Sequence, residues 1–200
     1  MKEIKGIKKT TNTVYYKTYD QNGNLKGNIL KSEEKQIDED TWLKGVSCFV
    51  LNENGEVLIE KRKNKGLTPG KLDLCSGHID LEETPTQAMI RELREELGIQ
   101  LEESINVIKL TQNGCPIKFD SSENKRNFFI TFYCLKRNKS NVEIQEEEVD
   151  KVFWIPIEEC FELIRSKSTK FPNDYDYEEI FQKVRDICNK TRNSSILREI

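Results

Sequence analysis

The chain predicts an α+β fold in which a mixed β-sheet is sandwiched between helices. Two observations carry this. Segments with strand character outnumber those with helical periodicity, and they do not alternate with helices as a doubly wound parallel sheet would demand. A third sets the scale: 200 residues, 36% apolar and 34% charged, can bury roughly 70% of the unfolded surface in one core beneath a heavily charged exterior.

Taken in order, residues 1–40 read as an N-terminal appendage, a hairpin-like lead-in packed on the main domain. Thr13-Val14-Tyr15-Tyr16 precedes the turn Asp20-Gln21-Asn22-Gly23-Asn24, and a charged stretch, Ser32 to Asp40, follows. The main domain spans residues 41–170. Its first run, Gly45 to Leu51, is β-branched and aromatic; Asn52-Glu53-Asn54-Gly55 is a turn signal, and Glu56 to Glu60 is a second strand, which makes a hairpin. A loop rich in Lys, Gly and Pro, Lys61 to Gly70, leads to a short strand at Lys71 to Cys75 and then to Gly77. Thr84-Pro85-Thr86-Gln87 is a capping box with proline at the first helical position, so a helix starts there and runs to Leu97, where Gly98 suits the left-handed closing residue. Further strands are expected at Ile105 to Thr111, Asn127 to Leu135 and Lys151 to Ile155. Helices follow at Ile157 to Arg165 and Tyr177 to Lys190, the latter in a C-terminal segment, 171–200, packed on the same domain.

Composition excludes several function classes. Lys+Arg 32 against Asp+Glu 35 gives a formal charge of −3, which argues against a chain held to nucleic acid or an anionic membrane by bulk charge. The longest apolar stretch, Phe128 to Leu135, is far short of the roughly 20 residues that cross a bilayer, and Met1 to Gly6 lacks the apolar run of a secretory signal. A cytoplasmic protein is expected. The six cysteines are scattered without a Cys-x-x-Cys and mostly sit in apolar segments, as buried reduced thiols do. With His78 the only histidine, multi-histidine metal sites are ruled out and any divalent ion must be held mainly by oxygen.

The helix from Pro85 carries the chemistry. On a 3.6-residue wheel Met89, Ile90, Leu93 and Leu97 gather on one side, and Glu92, Glu95 and Glu96 fall within about a 100° arc beside them. Glutamates usually form a solvated helix face. Here Glu92 one turn below Glu96 is a like-charge pair that costs a few tenths of a kcal/mol unless a cation neutralises it. Carboxylates, phosphate oxygens and water are the ligands Mg²⁺ prefers.

Gly77, five residues, Glu83, seven residues, then Arg91-Glu92-Leu93-Arg94-Glu95-Glu96-Leu97-Gly98-Ile99 resembles the Nudix box of the MutT-like Nudix hydrolase superfamily at every defining position. The resemblance extends more loosely from about Gly45 to Arg165. Leu67-Thr68-Pro69-Gly70-Lys71-Leu72-Asp73 is similar to the branch related to isopentenyl-diphosphate isomerase.

The resemblance implies a Nudix fold and a pyrophosphohydrolase that uses Mg²⁺ (or Mn²⁺) to cleave a small-molecule diphosphate, a nucleoside diphosphate linked to another moiety. Glu92 and Glu96 would ligate the metal, with Glu95 a further ligand or a base acting through water, and the backbone carbonyl of Ser76 completing the protein's share. Arg91 would pair with Glu83 to fix loop against helix, Gly77 would avoid crowding the loop, and Gly98 would close the helix. Arg62, Lys63, Lys71 and His78 could contact phosphates, or could be ordinary surface cations and a hydrogen-bonded histidine. Of Glu146, Glu147 and Glu148, one could approach the metal, or all three could be a solvated run. Phe119, Phe128, Phe129 and Trp154 could stack on a base, although strand aromatics are more often core. A homodimer is left open. Two alternatives stand beside the hydrolase: an isomerase of isopentenyl diphosphate and a non-catalytic nucleotide-binding module. Against the isomerase, Ser76 stands where that branch is similar in carrying a cysteine before Gly-His, and no histidine lies upstream.

Overall fold

The computed structural model describes residues 14–64, 69–101, 107–121, 124–137, 142–144, 147–166, 168–172 and 175–196. Thr13, Leu67, Thr68, Ile105 and Glu146 lie outside them. A hairpin of β1 (Tyr15–Tyr19) and β2 (Leu25–Leu30) comes first, followed by a 3-10 turn, Lys31–Gln36. Then come β3 (Trp42–Leu51), β4 (Glu56–Arg62), β5 (Leu72–Asp73), β6 (Cys75–His78) and α1 (Pro85–Leu97). The chain closes with β7 (Val107–Lys109), β8 (Cys115–Ser121), β9 (Asn124–Lys136), β10 (Val149–Pro156), α2 (Ile157–Arg165) and α3 (Glu178–Ile196). The expected mixed sheet between helices is what forms.

β3 is the axis of the sheet. It runs parallel to β9 from Trp42↔Asn127 to Leu51↔Lys136 and antiparallel to β6 from Gly45↔His78 to Cys48↔Cys75. Nearly every residue of β3 is buried, as befits a strand covered on both faces. Period-two alternation sorts its side chains: Val46, Cys48 and Val50 pack under α1 with Met89, Leu93 and Leu97. Phe49 and Leu51 face Phe161, Ile164 and Phe181 of α2 and α3. The N-terminal hairpin joins the same sheet through Tyr19↔Trp42, and Tyr16 is buried in its core.

The hairpin expected between β3 and β4 forms at its turn only. Asn52 Oδ1 accepts from the amides of Asn54 and Glu56, each at 2.9 Å, and Leu51 pairs with Val57. The strands then part, because β4 takes β10 along its length and β5 at Glu60–Lys61, while β3 takes β6. Residues 72–78 cross from one strand to the other. Two strands were not anticipated: β6, since the strand expected at Lys71 to Cys75 breaks at Leu74 and resumes through His78, and β8, where Pro116 argues against a ladder. β8 pairs only with β9 among the described residues, so its other side needs no donor at that position.

α1 starts and stops where expected. The Gln87 amide donates to Thr84 Oγ1 at 3.3 Å and the Thr84 amide to Gln87 Oε1 at 2.9 Å. Gly98 sits at φ 64°, and the Ile99 amide bonds the Leu93 carbonyl at 3.0 Å. α3 runs past Lys190 to Ile196. No helix among the described residues is long and apolar enough to cross a membrane.

Leu93 is fully buried between α1 and the sheet. Leu93→Ala should cost about 2–5 kcal/mol in urea denaturation, whereas Leu25→Ala, at a residue 62% exposed, should stay within about 0.5 kcal/mol.

Candidate active site

The site forms where the crossing segment meets α1. The Ser76 amide donates to Glu96 Oε2 at 3.0 Å, so the loop backbone grips the helix directly. One turn earlier, Glu92 lies against the Cα of Gly77. A Cβ built on Gly77 would stand 1.9 Å from Glu92 Oε1, so glycine is required there because the carboxylate occupies the space of a side chain. The three glutamates are not equivalent. Glu96 is buried, the Glu92 side chain is 12% exposed and that of Glu95 44%.

Arg91 clasps the loop. Its Nε and Nη2 donate to the two oxygens of Glu83 at 2.7 and 2.9 Å, a bidentate pair. Nη2 also donates to the His78 carbonyl at 2.9 Å, and Nη1 to Glu92 at 2.6 Å and Glu95 at 3.1 Å. Burial opposes ionisation of Glu83, yet the bonds from Arg91 and from the Asp80 amide hold its carboxyl below the ordinary value.

Behind the loop lies a second knot of charge. Asp73, fully buried, accepts from Arg62 at 3.3 Å and from Ser76 Oγ at 3.1 Å, and pairs with Lys170 at 2.6 Å. Lys170 also donates to Ser76 Oγ. It arrives on a strap after α2, whose Thr169 bridges Leu72 and whose Lys170 amide bonds the Leu72 carbonyl at 3.0 Å. Arg62 Nη1 stands 3.9 Å from Glu96.

Carboxylates outweigh their cations here. Burial, then Glu92, pushes Glu96 up to about 8, against the pull of Arg62 and the Ser76 amide. Burial also raises Glu92, outweighing Arg91. Glu60, on the α1 side of β4, is driven well above the carboxylate range by burial, then by Glu96 and Asp73, and neither of its oxygens has a hydrogen-bond partner. The inward-turned carboxylates suit a bound divalent cation: Glu92 and Glu96 with the Ser76 backbone are the groups that could hold it, each carboxylate already steadied by one hydrogen bond, and the orphaned oxygens lie deeper, on Glu60 and Asp73.

The other candidates divide. His78 follows the loop glycine, but its ring stacks on Tyr16 at 4.6 Å, meets Phe128 edge-on and shares a 3.0 Å hydrogen bond between Nε2 and Glu34. Lys71 is exposed, and its carbonyl accepts from the Arg62 amide. Glu147 and Glu148 are exposed; Glu148 lies near enough to Arg62 to help keep it protonated, and its carbonyl accepts from the Lys63 amide. Phe129 stacks on Trp42, Phe119 and Phe128 pack edge to face, and Trp154 packs against the α1-side core. Sequence reading missed Glu60, Asp73, Lys170, Tyr16 and Glu34. Alternation from Leu58 could have flagged Glu60 as inward-facing, whereas nothing local marks Lys170, 94 residues from Ser76.

Two outcomes follow from this geometry. Gly77→Ala should displace the Glu92 carboxylate and weaken binding of Mn²⁺, read by electron paramagnetic resonance, with the far-ultraviolet circular dichroism unchanged. A double-mutant cycle of Arg91→Ala and Glu83→Ala in urea denaturation should show coupling of about 0.5–3 kcal/mol, and additive losses would contradict the clasp.

The NUDIX domain profile matches residues 41–175. The m7GpppN-mRNA hydrolase NUDT17 of Xenopus laevis is 26% identical over 136 residues, covering 64% of this chain and 46% of that protein. The 8-oxo-dGTP diphosphatase of Escherichia coli (strain K12) is 44% identical over 51 residues, 26% of this chain and 40% of that one. The isopentenyl-diphosphate Delta-isomerase of Corynebacterium diphtheriae is 33% identical over 90 residues, 44% of this chain and 49% of that one. The chain thus spans about half or less of the length of these relatives. Among solved structures, DR0079 from Deinococcus radiodurans superposes with a TM-score of 0.62 at 20% identity, over 86% of this chain and 98% of that one. The MutT protein from Methanosarcina mazei Go1 gives 0.52 at 22%, over 74% and 96%. These two share the fold, and with the profile covering the loop, the glutamate helix and the strands that hold them, the chain belongs to the NUDIX domain family.

Proposed function

We propose that the protein is a divalent-cation-dependent pyrophosphohydrolase that cleaves the diphosphate linkage of a nucleoside diphosphate joined to another moiety, with water attacking phosphorus. The observation that carries this reading is the pair of inward-turned carboxylates, Glu92 and Glu96, one filling the space above Gly77 and the other bonded to the Ser76 amide. Family membership and relatives that are themselves named as a hydrolase and a diphosphatase support it.

Each residue has a distinct task in this reading. Glu92, Glu96 and the Ser76 carbonyl hold Mg²⁺ or Mn²⁺, which when bound neutralises phosphate oxygens and acidifies a water. Glu95, the exposed member of the three and tethered by Arg91, takes the proton from the attacking water. Arg91 and Glu83 keep loop and helix in register. Arg62, anchored on Asp73, offers a fixed positive charge to a phosphate.

The partial match to an isopentenyl-diphosphate Delta-isomerase favours a second reading. Two features weigh against it. Ser76 precedes Gly77-His78, and Cys75 points to the α1-side core while Ser76 Oγ turns to Asp73. His78 is the only imidazole, and it is engaged with Glu34.

Chelation should abolish turnover on a panel of nucleotide sugars, dinucleoside polyphosphates, NADH, coenzyme A, nucleoside triphosphates and capped RNA, scored for phosphate-containing products. Glu92→Gln and Glu96→Gln should each lower kcat by on the order of 10²-fold or more. Full activity in both variants would sink the assignment. Isopentenyl diphosphate with Mg²⁺ should give no dimethylallyl diphosphate, and appreciable isomer would replace this reading with the second.

A further inference from the structure

Behind the hydrolytic face lies a group that the proposed reaction does not use. Glu60 is fully buried and both of its carboxylate oxygens lack a hydrogen-bond partner. Alternation along β4 explains its position. Val57 and Ile59 face the α2 and α3 core, and Leu58 the α1 core, so Glu60 shares the inner side with α1. Cys75, the first residue of β6, is also fully buried on that side and carries a free thiol. One ligand atom each from Glu60, Cys75 and Glu96 lie within 4.8 Å of one another.

Neither adjacent cation hydrogen-bonds Glu60. Arg62 Nη1 and Lys170 pair with Asp73 at 3.3 and 2.6 Å, and Arg62 Nε, itself without a partner, makes no bond to either Glu60 oxygen. The Ser76 amide takes Glu96 Oε2, and Oε1 stands 3.9 Å from the Arg62 guanidinium, beyond hydrogen-bond reach. Burying an unpartnered carboxylate is unfavourable. Two carboxylates and a thiol that converge in this way are an arrangement that a cation satisfies by displacing their protons.

We infer that Glu60, Cys75 and Glu96 form an inner cation site with two oxygen ligands and one sulfur ligand, selective for a transition-metal ion of the Zn²⁺ or Co²⁺ class over Mg²⁺. A thiolate is a poor partner for a hard ion such as Mg²⁺ and a good one for zinc-like ions. Metal–sulfur bonds of about 2.3 Å and metal–oxygen bonds of about 2.0–2.2 Å place tetrahedral ligand atoms roughly 3.3–3.7 Å apart. The three atoms, within 4.8 Å of one another, would draw together to that spacing on binding. Three protein ligands would leave a fourth position for a water. Because Glu96 is shared, this inference rests on the proposed cation-dependent hydrolase.

Titrating the reduced, metal-free full chain with Co²⁺ tests it without reference to turnover. A near-ultraviolet thiolate-to-cobalt charge-transfer band should grow and saturate at one equivalent. Cys75→Ser should remove that band, Glu60→Gln should weaken Co²⁺ binding about tenfold or more, and Glu92→Gln should leave the band in place. The wild-type titration stands on its own if a variant fails to fold. Co²⁺ that binds and supports hydrolysis with no sulfur band overturns the inner site and leaves the hydrolase reading standing. A band that survives Cys75→Ser overturns the site as well. No binding of any divalent ion overturns both.

Discussion

Everything chemical in this molecule depends on how closely one helix approaches one loop. The Glu92 carboxylate occupies the volume that any side chain at Gly77 would fill, and the neighbouring amide of Ser76 holds Glu96. Such an approach needs both partners to be rigid. β6 is rigid because β3 pairs with all four of its residues, and α1 because Met89, Leu93 and Leu97 are sunk into the same sheet. The parting of β3 from β4 is what lets the loop reach its place. Had the hairpin continued, β4 would occupy the edge of β3 that β6 now takes.

That closeness has an electrostatic cost. Glu92, Glu96, Glu60 and Asp73 are all withdrawn from water, and the cations that answer them, Arg91, Arg62 and Lys170, come from three separate parts of the chain. Buried charge of this kind seldom adds stability over an apolar core of equal volume. Its presence is characteristic of a fold that gives up some stability to hold a reactive arrangement.

Legibility in the sequence followed the range of the interactions. α1 was readable end to end, since Thr84, Gln87 and Gly98 act on backbone within one turn. The glutamate face was readable from the helical period, and the spacing from Gly77 to Ile99 linked it to a loop. β3, β4 and β9 declared themselves by β-branched and aromatic runs. What stayed hidden depends on tertiary contact: β8 with its proline, the splitting of the β3–β4 hairpin, and the arrival of Lys170 at Ser76. The difference among the three glutamates was likewise invisible, because helical angle places all three together while only the packing of β6 decides which are withdrawn from solvent.

The stack of Tyr16 on His78, together with the bond from His78 to Glu34, ties the first strands of the chain to the loop beside the carboxylates. The family profile begins at residue 41, after both partners. The hairpin and its 3-10 turn thus precede the residues matched by the profile, yet they join the same sheet and touch the loop beside the carboxylates. A change at Tyr16 or Glu34 would therefore be felt at His78, the residue that follows Gly77, although both lie more than 40 residues before it.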